Sequence, residues 1–165
     1  MDAPGTVAVL LFDGVELLDF AGPIEVFSVA ASRDECPPWS VQTVSQKADF
    51  VATHNGLRVI PDLRLEDCVA PQVLVIPGGR GTRCELENRQ LLSWLVPAVE
   101  HADLVVSVPA LALVTSTDML EQIPGDETVG ALVARTHLVI VDQPLLFPGL
   151  LVALALDELA HSRGG

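Results

Sequence analysis

A chain of 165 residues is long enough for one ordinary domain with its own buried core. Half of its residues are apolar, yet it has five Phe, two Trp and no Tyr, so the interior must be built from the aliphatic layers that fill the space between a sheet and its helices. A formal net charge of -13 argues against nucleic acid, whose phosphates need clustered Lys and Arg, and disfavours adsorption to an anionic membrane.

In chain order, "TVAVLLF" (Thr6 to Phe12) is a continuous apolar run rich in β-branched residues, as expected of a strand buried on both faces. "DGVELLDFAGP" reads as a loop, and "PIEVFSVAAS" as a helix with Pro23 in its first turn and Ile24, Phe27 and Ala31 on one face. "WSVQTVS" alternates like a second strand. In "THNGLRVIPD", Asn55-Gly56 signals a turn beside a short edge segment. "QVLVIPGGRGT" is a buried strand closing in a glycine-rich loop. "LENRQLLSWLVPAVEHA" is an amphipathic helix burying Leu91, Leu92, Leu95 and Val99, with a kink expected at Pro97. "DLVVSV" reads as a strand, "ALALVTSTDML" as a helix, "TVGALVA" and "HLVIVD" as strands, and "GLLVALALDELAH" as a closing helix.

Strands alternating with helices imply an α/β fold with a mostly parallel sheet. No repeat, linker or low-complexity tract divides the sequence, so residues 1–165 read as one domain. "LLFPGLLVALAL" is the most apolar run, but it is too short for a membrane span and is broken by Pro148-Gly149. Three cysteines without a CxxC spacing make neither a disulfide framework nor a zinc site. Together with an N-terminus lacking a basic region, they point to a reducing, cytoplasmic setting.

Three segments carry a family resemblance. "LLFDGVELLDFAGPIEVF", then "GLRVIPD" with "VLVIPGGRGT", then "LVVSV" resemble, in order, segments of the DJ-1/PfpI superfamily. The likeness is strongest to its isocyanide hydratase-like branch and to the sensor domains of AraC-type regulators. The resemblance implies a flavodoxin-like three-layer sandwich and a homodimer. It also implies a site that needs no metal or organic cofactor and takes a small molecule.

The chemistry of the superfamily rests on a cysteine at a strained strand-to-helix elbow, a nearby carboxylic acid and backbone N–H donors from the glycine loop. By resemblance the acid falls on Asp19 and the donor loop on Gly78, Gly79, Arg80 and Gly81. The cysteine position falls on Pro109, followed by Ala110 where relatives have a small residue, and the glycine that follows there is missing. Proline locks φ near ~-65° and has no N–H, so Pro109 removes the nucleophile and also forbids the positive φ that such an elbow commonly uses. A histidine-bearing segment of the relatives is also absent where "MLEQIPGDETVGALV" runs from helix to strand. His54, His101, His137 and His161 lie elsewhere and inherit no role.

Read without the resemblance, Asp19 is an N-cap or first-turn acid, Glu16 and Glu25 are solvated charges, and Arg80 either steers an anion or is simply solvated. "GGRGT" is neither a P-loop nor a dinucleotide fingerprint, though its N–H groups could cradle an anion. Cys36 and Cys68 read as small apolar fillers, and Cys84 as a thiol at a helix start. Three functions follow. The first is a non-catalytic or decayed relative of isocyanide hydratase with a ligand-binding or regulatory role. The second is a lyase or hydrolase acting through Asp19 and water, and the third is a stand-alone sensor domain.

Overall fold

The computed structural model describes residues 5–32, 39–107 and 137–140. The sequence-derived helix at 110–120, the strand at 128–134 and the closing helix at 149–161 lie outside the described residues, as does the apolar run at 145–156.

The centre is β1 (Gly5–Leu11), whose last five residues are all buried. It pairs in parallel with β2 (Trp39–Ser45) on one side, Val7 facing Val41, and with β6 (Val73–Ile76) on the other, Val7 facing Val73. Beyond β6 come β7 (Leu104–Ser107) and β8 (His137–Ile140), again parallel, with Ile76 beside Ser107. A short edge strand, β5 (Leu63–Arg64), extends the far side of β2. The order is β5-β2-β1-β6-β7-β8. All four residues of β6 and of β7 are buried, which is why these segments read as unbroken apolar runs: a parallel sheet is covered on both faces. Leu10, Leu74, Ile76 and Leu104 are among the largest fully buried side chains. Truncating any of these leucines to Ala should cost about 2–5 kcal/mol.

Apart from the short edge strand, this is the doubly wound order in which the direction of winding reverses once, between β1 and β6. Chains leaving the C-terminal ends of those two strands diverge there, and the crevice between them is where such sheets bind ligands.

Helix α1 (Leu17–Ala31) starts six residues before Pro23, not at it. Leu17, Phe20, Ile24, Phe27 and Ala31 continue one apolar stripe through the proline, and all five are buried in or packed against the core. Burial of that stripe outweighs the hydrogen bond that Pro23 cannot donate. Asp19 lies in the first turn, and Glu16 takes the N-cap position without a side-chain cap, so the N-cap alternative for Asp19 falls away.

The second helical region is divided. A single turn, α2 (Thr82–Glu85), precedes α3 (Arg89–His101), which Asn88 caps by accepting from the Leu91 N–H at 3.2 Å. Asn88 also donates to Glu85 Oε2 at 2.6 Å, tying the two pieces together. The four predicted core residues of α3 are buried, and Pro97 sits inside the continuous helix. The Asn55-Gly56 signal is a true turn: Gly56 has φ 88°, and it joins β3 (Val51–Ala52) to β4 (Arg58–Val59) in an antiparallel hairpin. The strand β5 was not anticipated, because two residues carry no periodicity.

Candidate functional site

The site is made by the two loops that leave the sheet at its switch point. From β1, residues 12–16 lead into α1; from β6, residues 77–81 lead into α2. The first loop is pinned from outside. Asp13 is paired with Lys47, and its Oδ1 accepts the Ala52 N–H at 3.0 Å, while the Gly14 N–H donates to Ala52 O at 2.7 Å. Those bonds hold Asp13 below the usual carboxylate range, although burial opposes them as the largest single influence.

The two loops then meet backbone to backbone. Val15 and Gly79 form an isolated antiparallel bridge, the Glu16 N–H donates to Gly78 O at 3.0 Å, and the Gly81 N–H donates to Gly14 O at 3.2 Å. This contact explains the glycines. Gly79 has φ 130°, and a Cβ there would lie 2.6 Å from Glu16 N. Gly81 has ordinary helical angles, but a Cβ on it would overlap Asp13 O. One glycine is required by backbone conformation and contact together, the other by contact alone.

Asp19 closes the corner. Its residue is only 3% exposed, and its Oδ2 accepts the Gly78 N–H at 3.2 Å. Gly78 is therefore gripped twice by the start of α1, through its carbonyl by Glu16 and through its N–H by Asp19. Asp19 Oδ1 is buried with no hydrogen-bond partner among the described residues. Burial pushes the Asp19 carboxyl above its ordinary value; the Gly78 N–H opposes this and the nearby Glu16 carboxylate adds to it. An acid of this kind keeps its proton to higher pH and can donate or accept through Oδ1.

From its sequence the loop offers its N–H groups to an external anion. Two of them already serve acceptors within the protein: Gly78 donates to the carboxylate of Asp19 and Gly81 to Gly14 O. The Gly79 N–H has no acceptor among the described residues. Arg80 is exposed. The structure thus joins Asp19 to Gly78 and sets Gly79 and Gly81 against the β1 loop, while Pro109 and Ala110 lie outside the described residues.

Two contributors escaped the sequence reading. Glu16 both clamps Gly78 and raises Asp19, where only a solvated charge was expected. Ser107, the last residue of β7, is fully buried with its hydroxyl unpartnered among the described residues. A lone serine ending an apolar interior strand was the available signal. Among the described residues no group of three His, Cys, Asp or Glu is placed to hold a metal ion, and no helix is long and apolar enough to cross a membrane. Cys84 is exposed on α2, and Cys68 packs against the core, where burial pushes its thiol upward.

A buried acid tied to a glycine loop, at the switch point of a parallel sheet ordered β2-β1-β6-β7-β8 beyond its short edge strand, defines a flavodoxin-like α/β domain. The chain belongs to the DJ-1/PfpI family, whose model matches residues 5–123. It is 31% identical over 108 residues to the isonitrile hydratase of Pseudomonas putida. That match covers 66% of this chain and 45% of the hydratase, so the chain spans less than half of that relative's length. Among solved structures, a thiJ/pfpI family protein from Bacillus anthracis superposes with a TM-score of 0.65 at 18% identity, over 94% of this chain and 85% of the other. Oxidized DJ-1 from Toxoplasma gondii gives 0.62 at 16% identity, over 94% and 90%. At such identities the two structures speak for the fold alone.

Proposed function

We propose that this DJ-1/PfpI chain binds a small polar molecule at its switch point and performs no covalent cysteine chemistry there. One observation carries the proposal: the sequence has Pro109 two residues after the end of β7, where the resemblance puts the nucleophile. A pyrrolidine ring offers no thiol or hydroxyl, and its locked φ rules out the twisted backbone that would present one. Asp19 supports the binding half of the reading, since a buried carboxyl oxygen without a partner among the described residues favours a ligand atom that supplies one. A homodimer belongs to the same reading, on family grounds, and light scattering on the purified chain checks it.

A second reading is favoured by the raised Asp19. A carboxylic acid that holds its proton to higher pH than an ordinary aspartate is suited to general acid–base hydration of a bound substrate, with water as the nucleophile.

The test is isonitrile hydration followed by loss of substrate, with the wild-type chain, Asp19→Asn and alkylated wild type in parallel. No turnover in any of the three is expected. Turnover lost in Asp19→Asn but not on alkylation would move the conclusion to the second reading. Turnover lost on alkylation would overturn both.

A further inference from the structure

A groove of about 270 Å³ lies at the same C-terminal edge of the sheet but beside its β5 margin, between the ends of β2 and β5 and the first turns of α3. It uses none of the residues of the Asp19 corner. Its apolar side is Leu65, which is buried, and Trp94, which is half-buried and packed against the core. Its rim carries one charge of each sign. Arg64 and Glu66 are paired at 3.2 Å with side chains 50% and 63% exposed.

An ion pair so exposed contributes little, so its two members are available to other partners at small cost. The polar wall is linked by side-chain hydrogen bonds. Gln46 Nε2 donates to Gln90 Oε1 at 2.7 Å, and Gln46 Oε1 accepts from Asn88 at 2.7 Å. Asn88 is itself fixed as the cap of α3. The Gln90 amide nitrogen is left without an acceptor among the described residues.

We infer that this groove binds a free α-amino acid with an apolar or aromatic side chain. The juxtaposed Arg64 and Glu66 match the carboxylate and ammonium of a zwitterion. Gln90 supplies a further donor to the carboxylate, and Leu65 with Trp94 receives the side chain. A ligand of a single charge would satisfy one rim residue and be repelled by the other, whereas a zwitterion replaces both halves of the ion pair at once. Trp94 gives an aromatic face as well as apolar area, which favours phenylalanine-like side chains over short ones. The site is independent of the Asp19 corner and of what that corner does.

The test is calorimetric titration of the full chain with L-phenylalanine, 3-phenylpropanoate, which lacks the ammonium, and 2-phenylethylamine, which lacks the carboxylate. L-Phenylalanine is expected to bind at least about tenfold more tightly than either analogue. Arg64→Gln should abolish its advantage over the amine, and Glu66→Gln its advantage over the acid. Both positions are exposed, so the variants should fold. Trp94→Phe should retain binding, with loss of the tryptophan fluorescence change that accompanies it. Absence of saturable heat with all three compounds, or binding that neither charge variant alters, would overturn the assignment.

Discussion

Gly79 and Gly56 both have positive φ, 130° and 88°, yet they occupy opposite kinds of site. Around Gly56 an added Cβ would meet nothing within 4 Å, and the residue only lets the β3–β4 hairpin turn. Around Gly79 the same atom would strike the backbone of the β1 loop at Val15 and Glu16. The first glycine is a local matter of chain conformation. The second is a tertiary contact, because close approach of two loops is what lets Asp19 reach the Gly78 N–H. The glycines of the switch point are there to bring backbones together, and the carboxylate is held by that proximity.

That difference can be broken by alanine. Gly79→Ala and Gly81→Ala should each lose about 3 kcal/mol or more in urea denaturation, or fail to fold, because strain and overpacking act against backbone atoms that cannot rotate away. Gly56→Ala should cost only about 1 kcal/mol, the conformational penalty of a left-handed turn without a clash. Gly22 sharpens the comparison from the other side: it lies within α1 with nothing inside 4 Å, so Gly22→Ala should raise stability by about 0.5–1 kcal/mol. Equal losses at positions 56 and 79 would mean that the loops do not interlock as described.

The two aspartates of the corner should separate by pH, with smaller effects. Asp19 is raised above its ordinary 3.8, so between that value and its folded value the unfolded chain is ionised while the folded chain keeps the proton. Stability then falls as pH rises through that window, and Asp19→Asn should remove this part of the slope. Asp13 is lowered, so its contribution is present above 3.8 and is lost as pH falls through its depressed value. Asp13→Asn should flatten the acid limb and leave the higher window unchanged. Thermal melts of the three proteins across that range distinguish these signs.

Much of the fold was legible because burial on both faces writes itself into runs such as "TVAVLLF" and "VLVIPGG". The buried stripe of α3 and the Asn55-Gly56 turn were legible for similarly local reasons. What failed was decided elsewhere in the molecule. Pro23 is a good first-turn residue, and only the packing of Leu17 and Phe20 against the core shows that the helix begins before it. Strand β5 exists because Leu63 and Arg64 lie beside Val44 and Ser45, a tertiary pairing without local pattern. Asp19 and the glycine loop were marked by resemblance. That Asp19 itself accepts the Gly78 N–H is a matter of contact across 59 positions, which no sequence window contains. The role of Glu16 is hidden for the same reason: it clamps Gly78 through a backbone N–H that any residue possesses, and its carboxylate acts on Asp19 only because the fold sets the two side by side.

The central proposal is that no cysteine of this chain bonds covalently to a substrate at the switch point, and intact-mass measurement after incubation with an isonitrile and acid quenching tests it most directly. An unchanged protein mass at every time point is the predicted result. An added mass that maps to Cys36, Cys68 or Cys84 and disappears with prior alkylation would contradict it.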